Sequence, residues 1–235
     1  MGQVAHLSRA PQRIRVSVVL PIIGCTSGLT DAVRDYAQSI ACLEERFEIL
    51  LACGGSERSA CQDTAAVVEA VRVVEDGVAD WGRLVRVGVA GCRGEIICFA
   101  NWKPTAPGGL AEILAYALRN PEVVFRANRR MRRSFWHRLG SLLFNLECRA
   151  ILGTTAWDIN GTPKVFARAR SELFRLTRSD GLLDAEFAVV CERAGYPIAE
   201  VPIQSRGDAG EDRVDYRRAL SMYFGVLGLR RHRDK

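Results

Sequence analysis

Of the 33 basic residues in this chain, only Lys103, Lys164 and Lys235 are lysines. An arginine excess of that size, in a sequence rich in Ala, Gly and Val, reads as GC-rich coding bias and points to a bacterial source. Most arginines then need no functional reason, and each lysine is worth locating. Lys103 follows the apolar run Ile96-Ile-Cys-Phe-Ala100, and Lys164 precedes Val165-Phe-Ala167. A lysine ammonium is a compact point charge that can meet an anion or simply be solvated. Arg126, Arg129, Arg130, Arg132, Arg133 and Arg138 form a basic stretch between the two. Guanidinium forks bind phosphate bidentately, and a solvated basic loop is the competing reading. Asp184 and Glu186 follow the turn Ser179-Asp180-Gly181. A carboxylate there can take a proton from a nucleophile, or simply favour the start of a helix.

Several other chemistries are excluded. There is no G-x-x-x-x-G-K-[ST] phosphate loop, no H-E-x-x-H and no G-x-S-x-G elbow. Gly88, Gly91 and Gly94 lack the G-x-G opening of a dinucleotide fingerprint. His6, His137 and His232 are scattered, which disfavours a zinc site and a histidine-based triad. The eight cysteines form no C-x-x-C pair, so reduced, buried thiols of a cytoplasmic protein are expected. The net charge of +6 admits phosphates, nucleic acid or a membrane surface as partners. Nucleic acid is disfavoured, because only Phe135 and Trp136 interleave the arginines and no RNA or DNA motif accompanies them. Residues 16–23 are apolar but short and broken by Pro21, a poor signal peptide. The uncharged stretch 219–229 falls well under the roughly 20 residues a bilayer needs, so a soluble protein is expected.

With 48% hydrophobic and 26% charged residues, the chain can bury a sizeable core. Its length suits a single α/β domain with two lobes. Strands are expected at 14–22, 47–53, 71–74, 96–100 and 123–125, with helices at 29–45, 59–70, 81–92 and 110–119. That alternation predicts βαβ units and a mainly parallel, Rossmann-like sheet flanked by helices. Ligands of such sheets bind beyond the carboxyl ends of the strands, which gathers 22–26, 53–56 and 101–105 around one crevice. Further along come a basic loop at 126–133, an amphipathic helix at 134–152, a strand at 163–167, a helix at 183–194 and a strand at 198–204. Residues 1–13 read as a flexible leader and 14–212 as the domain. Residues 213–235 read as a basic amphipathic helix, resting either on an anionic membrane or on the sheet.

Val16-Ser-Val-Val-Leu-Pro21, Phe47-Glu-Ile-Leu-Leu-Ala52 and Gly55-Ser56 together resemble the opening of inverting family-2 glycosyltransferases of the GT-A fold. Later stretches resemble the dolichyl-phosphate mannosyltransferase branch: Gly82-x-x-x-Arg86-x-Gly88, Arg93-Gly94-Glu95-Ile-Ile-Cys-Phe99 and Arg138-Leu-Gly-Ser-Leu-Leu-Phe-Asn145. So do Asp158-x-Asn-Gly-x-Pro-Lys164-Val-Phe166, Asp184-Ala-Glu186 and Arg193-Ala-Gly-Tyr-Pro-Ile-Ala-Glu-Val-Pro202. The resemblance spans about residues 14–206 and lies in the order and spacing of the motifs. It implies a GT-A fold with a mixed acceptor-side lobe, a nucleotide-sugar donor, and a small-molecule or isoprenyl-phosphate acceptor. It implies substrate contacts at Pro21, Ser56, Arg86, Asn101 and Glu186, and phosphate contacts at Arg129, Arg138 and Lys164. Asp184 is the implied base where the acceptor is a hydroxyl; an isoprenyl phosphate needs none.

The hallmark sites depart from that family. Where its second strand usually ends in Asp-Asp-Gly-Ser, this chain has Cys53-Gly54-Gly55-Ser56. The metal-binding Asp-x-Asp falls on Asn101-Trp102-Lys103. A transferase must stabilise charge growing on the diphosphate leaving group, and a carboxylate-held divalent cation usually does so. Asn101 and Lys103 cannot hold a hard cation by themselves. No cofactor is therefore expected, a divalent metal would lack its usual ligands, and Lys103 is the candidate catalytic cation. The competing expectation is an inactive GT-A-fold protein that binds a nucleotide-sugar or a partner enzyme, with Lys103 merely solvated. Retention of Lys164, Asp184 and Glu186 favours the enzyme, placed in the cytoplasm, with peripheral contact to the inner face of the membrane as one of the two options for its terminal helix.

Overall fold

The computed structural model describes residues 13–130, 158–204 and the single positions 146, 149 and 206. The β-branched and aliphatic runs become strands: β1 (Val16–Ile22), β2 (Phe47–Cys53), β3 (Val71–Glu75) and β4 (Ile96–Phe99). β5 (Val124–Arg130), β6 (Lys164–Ala167) and β7 (Ile198–Gln204) follow. Between them lie α1 (Leu29–Ala41), α2 (Arg58–Val67), α3 (Trp81–Gly91), α4 (Pro107–Arg119) and α5 (Leu183–Arg193).

The seven strands form one sheet in the order β3-β2-β1-β4-β6-β5-β7. β6 runs antiparallel to β4 and β5, and the remaining neighbours pair in parallel. This matches the expected mainly parallel sheet. The chain builds outward from β1 to β3, then restarts on the other side of β1 with β4. The switch point therefore lies between β1 and β4, and beyond the carboxyl ends of these strands is where sheets of this kind take their ligands.

Both faces of the sheet are covered, so its central strands are predominantly apolar rather than alternating, with Ser17 and Glu48 buried as a hydrogen-bonded pair. Val18, Leu20, Ile49, Leu51 and Cys98 pack with residues of α1 and α4. Val19, Leu50 and Phe99 pack on the opposite face with α3 and α5. Gly88 of α3 is required by that closeness: a Cβ there would sit 2.3 Å from the Val19 Cγ1 methyl.

The sequence places a basic loop at 126–133, and the structure corrects this, because β5 continues to Arg130. A charged residue is tolerated inside the sheet because Arg126 lies directly opposite Glu200 of β7 and pairs with it. The 3₁₀ turn Ser171–Phe174, which buries Leu173, has no counterpart in the sequence reading. α1 stops at Ala41, short of the expected 45, and Glu44 turns away with φ of 57°. The expected leader save for Arg13 and the helix expected at 213–235 lie outside the described residues, as does the helix at 134–152 save for 146 and 149. Among the described residues no helix is long and apolar enough to cross a membrane.

Candidate active site

Lys103 is exposed on the loop that leaves β4, at the switch point. Its ammonium lies 5.6 Å from the centroid of the Trp102 ring. The loop is held from two sides and braced within itself. The buried Tyr36 hydroxyl of α1 lies 2.6 Å from the carbonyl oxygens of both Trp102 and Thr105. Burial pushes that phenol well above its ordinary pKa, so it remains a donor. The Lys103 N–H reaches Asn101 Oδ1 at 3.3 Å, and the Asn101 N–H reaches Thr162 Oγ1 at 3.4 Å. That last contact joins the loop to the segment leading into Lys164.

One transverse row of the sheet turns from apolar to charged at this end. Phe99 of β4 lies opposite Lys164 of β6, Lys164 opposite Arg126 of β5, and Arg126 opposite Glu200 of β7. Arg126 gives its Nε to Glu200 Oε1 at 3.0 Å. Lys164, 0% exposed, donates to Asp184 Oδ1 from the first turn of α5. Its ammonium also lies 5.6 Å and 5.8 Å from the ring centroids of Phe99 and Phe187. Burial pulls this lysine below its ordinary pKa, and the Asp184 carboxylate pulls it back up. Asp184 Oδ2 accepts no hydrogen bond among the described residues, and the side chain retains 7% exposure. The turn before β6 fits only because Gly161 has no side chain: a Cβ would lie 1.9 Å from the Ala127 carbonyl oxygen.

The remaining site residues named from sequence are distributed around this centre. Pro21 is buried in β1 opposite Ala52, and Ser56 is exposed in the turn after β2. Beside Ser56, the buried Glu57 accepts the Gly24 N–H at 3.0 Å and so ties down the loop after β1. Arg86 and Glu186 are drawn together at Thr177, in a clasp of their own. Arg86 reaches the Thr177 carbonyl at 2.8 Å, while both Glu186 oxygens accept from the Thr177 and Arg178 backbone. Arg129 lies on β5 opposite Ile203, and Arg138 lies outside the described residues. Lys103 and Asn101 are thus joined through Thr162 to the segment carrying Lys164, which in turn holds Asp184. Tyr36, Glu57, Thr162 and the Arg126–Glu200 pair were missed. Tyr36 carried only an apolar helix signal, and the charge pair is separated by 74 positions.

Among the described residues there is no group of three or more His, Cys, Asp or Glu side chains that could hold a metal ion. The donor set beyond β4, one amide and one ammonium, does not fit a hard divalent cation. Beyond β4 stands an exposed cation, and Thr162 links its loop to the segment whose Lys164 holds the buried Asp184 carboxylate. Those are the groups a displacement with an anionic leaving group requires.

No protein-family model matches the chain, and none of the curated proteins compared with it does. Solved structures do match. Mannosyl-3-phosphoglycerate synthase from Rubrobacter xylanophilus is 18% identical over 94% of this chain and 75% of its own, with a TM-score of 0.71. Glucosyl-3-phosphoglycerate synthase from Mycobacterium tuberculosis, in complex with Mg²⁺ and uridine diphosphate, is 17% identical over 92% and 80%, with a TM-score of 0.68. The same enzyme with Mn²⁺, uridine diphosphate and glucosyl-3-phosphoglycerate is 15% identical, with a TM-score of 0.66 over the same shares. At these identities the likeness establishes the fold, a GT-A-type Rossmann-like sheet.

Proposed function

We propose that this chain transfers a hexosyl group from a nucleotide-sugar donor to a hydroxyl of a small acceptor, with inversion at the anomeric carbon. The observation that carries the reading is the position of Lys103. It is an exposed cation on the loop beyond β4, where the resembled family holds its metal, and Thr162 ties that loop to the Lys164–Asp184 segment. Structural neighbours named for glucosyl and mannosyl transfer to 3-phosphoglycerate support a nucleotide-sugar donor and a small acceptor. The motif order shared with the dolichyl-phosphate mannosyltransferase branch supports the inverting course.

The acceptor oxygen forms its bond to the anomeric carbon as the carbon–oxygen bond to the diphosphate breaks, and the bonding pair leaves with the diphosphate. The Lys103 ammonium lies against the phosphate oxygens and offsets the charge gathering there. Asp184 takes the acceptor proton through its open oxygen. A neutral hydroxyl suits this carboxylate better than an isoprenyl phosphate, which arrives ionised and would be repelled by it.

Transfer from UDP-, GDP- and dTDP-linked hexoses to glycerate-type acceptors, with and without EDTA, tests the proposal. Turnover should be indifferent to EDTA and fall about 100-fold in Lys103→Ala, the scale of losing one donor to a developing oxyanion. EDTA-sensitive turnover that survives the substitution overturns it. The Asn101-Trp102-Lys103 replacement also favours a second reading, a non-catalytic protein that holds a nucleotide-sugar. Donor binding in calorimetry with no transfer to any acceptor would select that one.

A further inference from the structure

We infer that Lys164 is a positioning residue for Asp184 rather than a ligand of substrate phosphate. It fixes Oδ1 and sets a positive charge beside the carboxylate, leaving Oδ2 to the incoming hydroxyl. The part played toward an acceptor rests on the transferase reading; the hold of one group on the other does not.

The argument begins with what Lys164 can reach. Its ammonium carries three donors, and Asp184 is its one hydrogen-bond partner among the described residues. The faces of Phe99 and Phe187 stand 5.6 Å and 5.8 Å away and confine it. Arg126, beside it on β5, is committed to Glu200, and that carboxylate also accepts from Asn128 at 3.1 Å. Glu200 is therefore not available to draw the lysine away. From the turn before β6, Asp158 adds a second negative charge that favours the ammonium. The Cys191 thiol of α5 also borders the cluster; burial pushes it up to about 12, so it stays neutral. A lysine with 0% exposure, enclosed by rings and tied to an anion, is not set to meet a phosphate in the crevice.

The carboxylate gains a defined geometry. α5 presents Asp184 from its first turn, where the helix dipole favours negative charge. The Lys164 hydrogen bond removes one oxygen from competition. An ionised carboxylate with a single open oxygen accepts a proton from one direction, which is the requirement for a base acting on one hydroxyl.

Aspartate carboxyl carbon-13 NMR tests this on the whole chain, with Asp184→Asn identifying the signal. In Lys164→Met that signal should titrate at a pH at least about one unit higher than in the wild type, a tenfold change in acid dissociation. Lys164→Gln keeps a hydrogen-bond donor without the charge and should shift in the same direction, so the answer does not hang on one variant's folding. An unmoved titration in both overturns the inference. In turnover, the acidic limb of kcat/KM should move upward with it, kcat should fall more than KM changes, and Lys164→Arg should restore the limb. A raised donor KM with an unmoved limb assigns Lys164 to substrate phosphate and overturns the inference. A wild-type protein without transfer rejects the transferase reading alone, because the NMR arm still decides whether Lys164 governs Asp184.

Discussion

Arg126 reaches a single oxygen of Glu200 through two nitrogens, at 3.0 Å and 2.8 Å, from directly opposed positions of β5 and β7. The arginine side chain is 3% exposed. A pair this deep is not a clear gain in stability, since the arginine lost its hydration, but removing one partner takes the countercharge from the other. Arg126→Met and Glu200→Gln should each cost about 3–5 kcal/mol. Arg126→Met combined with Glu200→Leu should cost much less than the two single losses together. Urea titration of the three variants closes the cycle, and simple additivity would contradict the pairing.

Glu186 behaves as a backbone clamp. Its carboxylate accepts the Thr177 N–H at 2.9 Å, the Thr177 hydroxyl at 2.7 Å and the Arg178 N–H at 2.8 Å. Arg86 holds the Thr177 carbonyl at 2.8 Å from the α3 side. Glu186→Ala hands two backbone donors at an exposed turn to water, at a cost of about 0.5–1.5 kcal/mol. Amide exchange should accelerate at Thr177 and Arg178 and remain slow in β1 and β4. Unchanged protection at those two amides would contradict the clamp.

Alkali should loosen the fold through its thiols. Burial pushes Cys92 and Cys191 up to about 12, and it raises Cys53, Cys61 and Cys98 as well. The native thiols then keep protons that the unfolded chain gives up near 9, so stability falls as pH rises from about 9 toward 12. Tyr36 acts in the same direction. Lys164 acts oppositely: its depressed value makes unfolding release fewer protons as pH climbs toward 10.5. One lysine against several thiols leaves a net loss. Urea midpoints between pH 8 and 11 should decline in the wild type and decline less steeply in Cys92→Ala and Cys191→Ala.

The parts of this molecule that were legible in sequence are those set by local pattern. β2 and β7 fall where runs rich in aliphatic residues place them, at Phe47–Cys53 and Ile198–Gln204. β5 was misread because what makes Arg126 acceptable in a sheet is Glu200, far along the chain and adjacent only once β7 has docked. Lys164 drew attention by scarcity. Its partner depended on β6 inserting antiparallel between β4 and β5, an arrangement no local spacing encodes. Tyr36 looked like one more apolar position of α1, since a hydroxyl's use depends on where the loop beyond β4 passes.

That loop also offers the sharpest test of the cation reading. Tyr36 fixes the Trp102 and Thr105 carbonyls, so positions 101 and 103 can be changed without releasing the backbone. Asn101→Asp keeps the side-chain oxygen that accepts the N–H of position 103. Lys103→Asp replaces the exposed ammonium with a second carboxylate at the spacing a divalent cation needs. In the wild type, calorimetric binding of a nucleoside diphosphate should be the same in EDTA and in Mn²⁺, because an ammonium meets the phosphates. In the double variant two carboxylates face those phosphates. Affinity in EDTA should drop at least about tenfold, or 1.4 kcal/mol, and Mn²⁺ should restore it by bridging carboxylate and phosphate. The single variant Lys103→Ala should lose affinity in EDTA and gain nothing from Mn²⁺, which separates loss of a cation from creation of a metal site. A wild type that binds only with Mn²⁺, or a double variant that binds as tightly in EDTA, would place the diphosphate away from Lys103.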